Sequence, residues 1–260
     1  MRIRTILILA TLSLLAWPVE GGFPQAAAEP AAGPAAARPT QPSSPAIDAI
    51  AAGVSPDVLR LALGAVTCAV THGDIAPPPT LTLIDYSRPS LEPRLWVFDL
   101  TDGRLLFKEL VAHGRNTGDN LATQFSDALS SYQSSIGLFV ASDTYVGSNG
   151  YSLRLDGLEP GFNGRARERA IVMHGAPYVD AVAGAKQGRL GRSLGCPALR
   201  EAVARDVIDT IQGGGVVFSY YPDSAWLQTS RFLGGCPQDS EILSAGNHSA
   251  LAFEGPDQVN

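Results

Sequence analysis

The sequence has little cysteine and histidine and lacks the spacings that metal sites need. Only three of its 260 residues are cysteine and four are histidine. No Cys-x-x-Cys or His-x-x-x-His pair occurs, whereas zinc sites usually take several ligands at short spacings. No glycine-rich loop carries a lysine, which argues against a phosphate-binding nucleotide site. We therefore predict that the chain uses neither a metal nor a cofactor.

Basic clusters are also missing from the chain. The formal net charge is −6 and no stretch is densely basic, which argues against nucleic acid as a partner and against a basic membrane-surface helix. Hydrophobic residues make up 45% of the chain, enough for one folded domain with a sizeable core.

The first 28 residues have the features of an export signal. Arg2 and Arg4 precede an apolar run at residues 5–17, and the alanines at 26–28 are the small residues that signal peptidase prefers. A membrane-spanning helix needs about 20 apolar residues, so this run is short for an anchor, although an uncleaved anchor is the alternative. We predict a cleaved signal peptide, no stable membrane insertion afterwards, and a periplasmic or cell-envelope location.

The remainder of the chain divides by composition into three parts. Residues 29–46 are dominated by alanine and proline, which is typical of a linker. Residues 47–235 hold the periodic apolar segments of one domain, and residues 236–260 form a polar tail.

Three cysteines in an oxidising compartment leave one unpaired. Cys68 and Cys236 lie near the two ends of the predicted domain, and a disulfide between them would tie those ends together. The alternative is that both are buried and reduced. We predict the bridge, because disulfides persist in exported proteins, and Cys196 is then the spare thiol.

The apolar pattern predicts a mainly β domain with a helix at its start. Ser55 and Pro56 mark the beginning of that helix, and Asp102-Gly103 predicts a tight hairpin. Two later helices are predicted at residues 178–187 and 197–212. Strand-like runs occur at residues 81–86, 94–100, 105–113, 136–142, 152–158, 169–174 and 215–221. Several short strands with few helices are typical of a β sandwich or barrel.

Residues 191–197 read Gly-Arg-Ser-Leu-Gly-Cys-Pro and place Cys196 at the predicted start of the helix at 197–212. The unpaired N–H groups and partial positive charge of a helix start favour the thiolate, which is the reactive form of cysteine. The same N–H groups could hold an oxyanion during acyl transfer, and Gly195 would let a substrate carbonyl approach. The alternative interpretation is a structural cysteine that caps the helix.

His174 is the predicted base for this thiol. It ends an apolar strand and precedes Gly175, so it should emerge at a strand tip, and imidazole is the usual base for a cysteine nucleophile. His113 also precedes a glycine and is the rival base. The residues alone therefore favour a Cys-His enzyme, with the base left open between the two histidines.

These motifs resemble a known family. His174-Gly175 followed by Ser193-Leu194-Gly195-Cys196 resembles the L,D-transpeptidase signature of His-Gly, a spacer and Ser/Thr-His-Gly-Cys. Residues 81–233 are more closely similar to the murein L,D-transpeptidase catalytic domain family. Matching pieces are Asp-Tyr-Ser-Arg-Pro-Ser at 85–90, Val-Ala-His-Gly-Arg at 111–115 and Gly-Arg-Ser at 191–193. The resemblance implies an L,D-transpeptidase-like β sandwich with an N-terminal helix and a helix following Cys196.

The resemblance also implies roles for individual residues. Cys196 would be the nucleophile, and His174 would share its proton while a backbone carbonyl, of Gly175 or Ser193, orients the imidazole. The predicted catalytic set is Cys196, His174, Gly195, Gly175 and Ser193, and the predicted substrate-binding set is Arg192, Tyr178, His113 and Arg115.

Three departures from the family pattern affect the substrate side, and one of them is Asn149, in a segment where we expect histidine in the closer family. Leu194 stands where the broader group has histidine, and Ala198 stands where many relatives have arginine. Arg192 or Arg200 could replace the lost arginine contact, and the sequence does not choose between them.

The function that the resemblance implies is cysteine-dependent acyl transfer on peptidoglycan. A stem tetrapeptide would acylate the cysteine, and an amine acceptor would release the thioester as a cross-link. One alternative is an L,D-carboxypeptidase, with water as the acceptor. Another is a non-catalytic cell-wall-binding module. We expect peptidoglycan stem peptides as partners and a monomeric protein.

Overall fold

The computed structural model describes residues 52–234. The predicted signal peptide (1–28), linker (29–46) and polar tail (236–260) lie outside these residues, as does Cys236. Cys68 is buried and disulfide-bonded, while Cys196 is free. Because Cys236 is outside the described residues, its pairing with Cys68 stays a prediction.

The predicted N-terminal helix is present as α1 (Pro56–Thr71). Ser55 is its N-cap in an extended conformation and Pro56 occupies the first turn, where the missing N–H costs nothing. The helix buries one apolar face, which includes Val58, Leu59 and Ala62. Within the described residues, none of the helices combines the length and apolar character that crossing a membrane requires.

The described residues contain nine strands that form one sheet. The strands are β1 (Thr80–Asp85), β2 (Leu95–Asp99), β3 (Leu105–Glu109), β4 (Val111–Ala112), β5 (Gly137–Gly147), β6 (Gly150–Gly157), β7 (Val172–Gly175), β8 (Ala198–Leu199) and β9 (Val216–Tyr220). Their order is β3-β2-β1-β9-β5-β6-β7-β8-β4. Only the β1–β9 and β7–β8 pairs are parallel. The predicted hairpin joins β2 to β3, with Gly103 at a φ of 72°.

The two halves of this sheet enclose a shared core. Leu95 of β2 and Leu153 of β6, although far apart in strand order, belong to the same buried cluster. On the other face, Trp96 and Phe218 pack with α1 in a second cluster. The prediction of a mainly β sandwich-like fold with an N-terminal helix is confirmed.

The helix after Cys196 is present but starts later than predicted. It is α3 (Glu201–Ile211), and Ala198–Leu199 form strand β8 instead of a first helical turn. Both strand residues are fully buried and pair with β7 on one side and β4 on the other. Ladder hydrogen bonds and burial therefore outweigh helix formation there. Cys196 does not lie at a helix N-terminus, and the predicted stabilisation of its thiolate by a helix start is wrong.

Two short helices complete the described part. The prediction at 178–187 corresponds to α2 (Ala181–Gln187), whose N-cap Asp180 accepts a hydrogen bond from the Ala183 N–H at 2.6 Å. Helix α4 (Ser224–Thr229) was not predicted, since its single buried residue, Trp226, leaves no periodic pattern.

Candidate active site

The segment that carries Cys196 is held against the chain that follows strand β4. The Ser193 N–H donates to the His113 carbonyl at 3.0 Å, and the Arg115 N–H donates to the Ser193 carbonyl at 2.8 Å. The Ser193 hydroxyl donates to the Cys196 carbonyl at 2.6 Å and accepts from the Gly195 N–H at 3.0 Å. Ser193 thus fixes the turn that presents the cysteine.

Gly195 is confined by its neighbours as well as by its backbone. Its φ of 129° is one that side-chain-bearing residues rarely adopt. A Cβ at this position would lie 2.8 Å from the Gln133 carbonyl oxygen and 3.0 Å from Ile171 Cδ1. The Ser134 hydroxyl also donates to the Gly195 carbonyl at 2.9 Å. Only glycine fits without moving the backbone beside the thiol.

The Cys196 thiol is 8% exposed and faces the backbone that leads into β7. Its Sγ accepts from the Val172 N–H at 3.4 Å and donates to the Ala170 carbonyl at 3.7 Å. Burial raises the pKa of the thiol, while the Val172 N–H, the charge of Arg169 and the N–H of Cys196 itself act in the opposite direction. The resting thiol is therefore neutral, and backbone N–H groups take the place of the expected helix start.

His174 is oriented by a backbone carbonyl. Its Nδ1–H donates to the Gly175 carbonyl at 2.9 Å, since a carbonyl can only accept. The Ser193 carbonyl, the other predicted partner, binds Arg115 instead. Burial lowers the pKa of His174, so the ring is neutral at pH 7 and Nε2 carries a lone pair. This is the tautomer that a general base needs.

Strand pairing brings the candidate nucleophile and base to neighbouring positions. His174 pairs with Ala198 in the parallel β7–β8 ladder, and Cys196 precedes Ala198 by two residues. Two residues on one face of extended chain are separated by about 7 Å. No hydrogen bond joins the two side chains within residues 52–234, and the thiol donates to the Ala170 carbonyl.

His113, the rival base and predicted substrate contact, is an interior residue. It is 1% exposed. Arg94 Nη2 donates to its Nδ1 at 2.7 Å, and its Nε2–H donates to the Gly118 carbonyl at 3.3 Å. Burial and the Arg94 charge lower the pKa of His113 to about 4. With both ring nitrogens engaged, no ring atom is left to serve a thiol or a substrate.

The arginines considered as substrate contacts differ in how many of their guanidinium N–H groups are already bound within the protein. Arg192 Nη1 donates to the carbonyls of Arg115 and Gly118 at 3.0 and 2.9 Å. Arg200 forms a two-point ion pair with Glu109, at 2.9 and 2.6 Å. Arg115 is exposed and lies over the Tyr132 ring at 4.1 Å. Arg115 thus differs from Arg192 and Arg200 in that it stacks on an aromatic ring, whereas Arg200 is ion-paired and Arg192 holds the adjoining loop.

Tyr178, the remaining residue predicted to bind substrate, interacts electrostatically with Cys196. Burial raises the pKa of Tyr178 to about 12, and the charge of Cys196 contributes in the same direction, so the Tyr178 hydroxyl remains a donor. Leu194 is 59% exposed immediately before Gly195. Within the described residues, no group of three histidine, cysteine, aspartate or glutamate side chains could hold a metal ion.

A family model for the L,D-transpeptidase catalytic domain matches residues 50–220. The chain belongs to this family. The match spans α1, strands β1 to β9 and both candidate residues, so the resemblance seen in the short motifs extends over the domain. No curated protein sequence matches the chain.

Solved L,D-transpeptidases are similar to this family member at low identity. One from Mycobacterium smegmatis is 15% identical, with 55% of this chain and 59% of that chain covered and a TM-score of 0.36. One from Stackebrandtia nassauensis is 15% identical, with 62% and 66% covered and a TM-score of 0.35. The cell shape determining protein Pgp2 (K307A mutant) from Campylobacter jejuni is 14% identical, with 60% and 55% covered and a TM-score of 0.34. The chain therefore spans less than two thirds of these structures.

Sequence reasoning missed Arg94 in this L,D-transpeptidase-family domain, and it noted Ser134 only as part of the segment at residues 134–139, which resembles the family's Thr-Pro-x-Gly-x-Phe strand entry. Arg94 is fully buried and donates to the Val111 carbonyl and to His113. Ser134 links the Gly114 N–H to the Gly195 carbonyl. Arg94 stands in no pattern that marks it, because a lone arginine near an apolar run is usually exposed.

Proposed function

We propose that this protein is a peptidoglycan L,D-transpeptidase with Cys196 as its nucleophile. The Cys196 sulfur attacks the carbonyl carbon of the residue at position three of a stem tetrapeptide. A carbon–sulfur bond forms, the peptide bond to the terminal D-alanine breaks, and the departing amine takes its proton from His174. An amine of a second stem then attacks the thioester, which forms the cross-link and releases the thiol.

The observation that carries this proposal is the state of His174. Its Nδ1–H donates to the Gly175 carbonyl, and its Nε2 is a neutral base. In the β7–β8 ladder His174 pairs with Ala198, which follows Cys196 by two residues. A cysteine with a base held by a third group is the arrangement that nucleophilic acyl transfer requires.

The charge states favour a mechanism in which the thiol loses its proton as it attacks the substrate. They argue against a thiolate–imidazolium pair that exists before the substrate binds. Burial raises the pKa of Cys196 and lowers the pKa of His174, so both groups rest in the neutral form. Rotation of the Cys196 side chain, away from the Ala170 carbonyl, would turn its S–H toward Nε2. The proton then moves to His174 as the sulfur bonds to carbon, and the reaction should slow on the acid side as His174 becomes protonated.

Product analysis on purified stem tetrapeptides tests the function. The wild-type protein should form dimers and release D-alanine, and Cys196→Ala should form none, as measured by mass spectrometry. Trimmed monomers without dimers would instead show water as the acceptor and a carboxypeptidase. Turnover retained by Cys196→Ala would contradict the mechanism in which Cys196 is the nucleophile.

A covalent probe tests the nucleophile without a peptide substrate. The family resemblance implies carbapenem inhibition, so intact-mass measurement should find one carbapenem adduct on the wild-type protein and none on Cys196→Ala. A non-catalytic wall-binding module would give no adduct on either protein.

A further inference from the structure

Arg169 is an arginine with a buried side chain whose side-chain hydrogen bonds all go to one segment. Its side chain is 4% exposed. The guanidinium donates to acceptors within residues 126–135, hereafter the serine segment. These acceptors are the Ser126 carbonyl at 2.6 Å, the Ser135 hydroxyl, the Ser131 hydroxyl at 3.1 Å and the Gln133 carbonyl at 2.6 Å. One side chain therefore fixes four points of a segment that has no regular secondary structure.

The charge of Arg169 is only partly compensated. Its four hydrogen-bond acceptors are neutral, and the carboxylate in ion-pair range is Asp127, at 3.8 Å. Both oxygens of Asp127 already accept from the Arg165 backbone N–H at 3.1 Å. A buried cation that lacks a close carboxylate acts on other groups nearby, because screening by water is weak there.

The cysteine is among those groups. A Cβ on Gly195 would lie 3.5 Å from Arg169 Nη2 and 2.8 Å from the Gln133 oxygen that Arg169 binds. The guanidinium and the serine segment thus pack directly on the residue before Cys196. On its other side, Arg169 precedes Ala170, whose carbonyl accepts from the thiol.

Backbone strain marks the same place. Ser130, Tyr132 and Ala170 adopt positive φ values of 54°, 55° and 53° without being glycine. Such conformations persist only where the surroundings hold them. Two of these residues lie in the serine segment and the third follows Arg169, so the Arg169 contacts are well placed to maintain them.

We propose that Arg169 is a positioning residue for the reaction of Cys196: it holds the serine segment against Gly195 and supplies the buried positive charge that favours the thiolate. This role rests on the proposed function of Cys196 as the nucleophile. The hydrogen bonds of Arg169 go to the serine segment and not to the thiol, so it acts through the backbone of residue 195 and through its charge.

Two tyrosines interact electrostatically with Cys196, and neither is charged at neutral pH. Tyr86 and Tyr178 are protonated, since burial raises the pKa of each to about 12. His174 is neutral, and Asp127 opposes the charge of Arg169. Burial lowers the pKa of Arg169, yet an arginine remains charged at neutral pH.

The pH profile of Cys196 alkylation by iodoacetamide tests the charge, and it requires no peptide turnover. Arg169→Gln should move the midpoint to higher pH and slow alkylation about tenfold at pH 7.5 if the pKa rises by about one unit. Arg169→Lys keeps the charge but loses the branched set of guanidinium N–H donors. The midpoint of its alkylation pH profile should therefore stay near that of the wild-type protein. Its KM for stem peptide should rise because the serine segment is held less well.

The control is Arg165→Gln, which removes an exposed guanidinium paired with Glu168 in the same loop. It should leave the alkylation profile and the turnover unchanged. An Arg169→Gln profile that superimposes on the wild-type one, or a shift of the same size in Arg169→Lys, would overturn the electrostatic role.

Asp127→Asn decides the question if Arg169→Gln fails to fold. It removes the opposing charge but keeps an oxygen for the Arg165 N–H, so the alkylation midpoint should move to lower pH. A midpoint that does not move would count against the proposal. Because alkylation is independent of the peptide reaction, failure of the proposed function would appear separately, as missing products with this charge effect intact.

Discussion

The two strand ends that flank β8 have nearly the same sequence and opposite character. Val111-Ala112-His113-Gly114 pairs with β8 from one side, and Val172-Met173-His174-Gly175 pairs with it from the other. His113 uses both ring nitrogens, with Arg94 and the Gly118 carbonyl. His174 uses one, with the Gly175 carbonyl. An apolar strand followed by His-Gly therefore does not distinguish a histidine with both ring nitrogens engaged from one with a ring nitrogen left to act as a base.

What separates them is a residue distant in sequence. Arg94, immediately before β2, donates to His113 and to the Val111 carbonyl. Burial, with the Arg94 charge acting in the same direction, holds His113 neutral. No arginine hydrogen bonds to His174 within the described residues. The difference teaches that the partner of the second nitrogen decides whether a strand-end histidine can accept a proton.

Replacement of each histidine by glutamine should give the largest difference between the two sites. His174→Gln should slow carbapenem acylation about 10²–10⁴-fold, the usual contribution of a general base. His113→Gln should lower thermal stability first, with acylation falling only to the extent that the fold is lost. Stopped-flow acylation beside thermal unfolding measures both, and a large rate loss in folded His113→Gln with none in His174→Gln would reverse the assignment.

Acid sensitivity should separate the two histidines next. The pKa of His113 is about 4 in the folded protein, against about 6.5 in an unfolded chain. Between these values the unfolded chain binds more protons, so the free energy of unfolding is at its full value above pH 6.5 and falls as the pH drops to about 4.

The loss attributable to His113 is up to about 3 kcal/mol, and it should disappear in His113→Gln when urea unfolding is followed against pH. His174, whose pKa is also lowered, contributes in the same direction and serves as the internal comparison. An unchanged slope in His113→Gln would contradict the buried neutral state of His113.

The smallest expected difference concerns the glycines that follow the two histidines. Alanine at position 114 should lower the free energy of unfolding more than alanine at position 175. A Cβ on Gly114 would lie 2.5 Å from the Tyr132 carbonyl oxygen, whereas one on Gly175 would lie 3.0 Å from Ala204 Cβ. Gly114→Ala meets rigid backbone and should cost about 3 kcal/mol, while Gly175→Ala should cost about 1 kcal/mol.

A double-mutant cycle refines this last prediction. Ala204→Gly removes the atom that a Gly175→Ala methyl group would meet, so the pair should be more stable than the sum of the single effects. Urea denaturation measures all four proteins. An additive cycle would mean that the Ala204 methyl group does not limit the space at Gly175.

Much of the fold was predictable from local pattern. Ser55-Pro56 marked the start of α1 and Asp102-Gly103 the β2–β3 turn, because caps and tight turns depend on residues adjacent in sequence. The start of α3 was not predictable. Residues 198 and 199 become strand only because β7 and β4 lie on both sides of them. The residues adjacent in sequence do not indicate that these strands will be there.

The candidate residues were likewise visible in the sequence, while their environment was not. Cys196 and His174 stood out because few residue types perform acyl transfer. The backbone N–H that faces the thiol, the carbonyl that orients the imidazole and the Arg169 charge come from segments brought together by folding.

By itself, then, the sequence determined a mainly β domain with an N-terminal helix and named the candidate residues for its chemistry, since periodicity, turn residues and functional groups are local properties. The tertiary structure alone decided which histidine is free to act as a base and where the cysteine sits. Hydrogen-bond partners, burial and buried charge set proton affinity, and these are supplied by parts of the chain far from the residue they control.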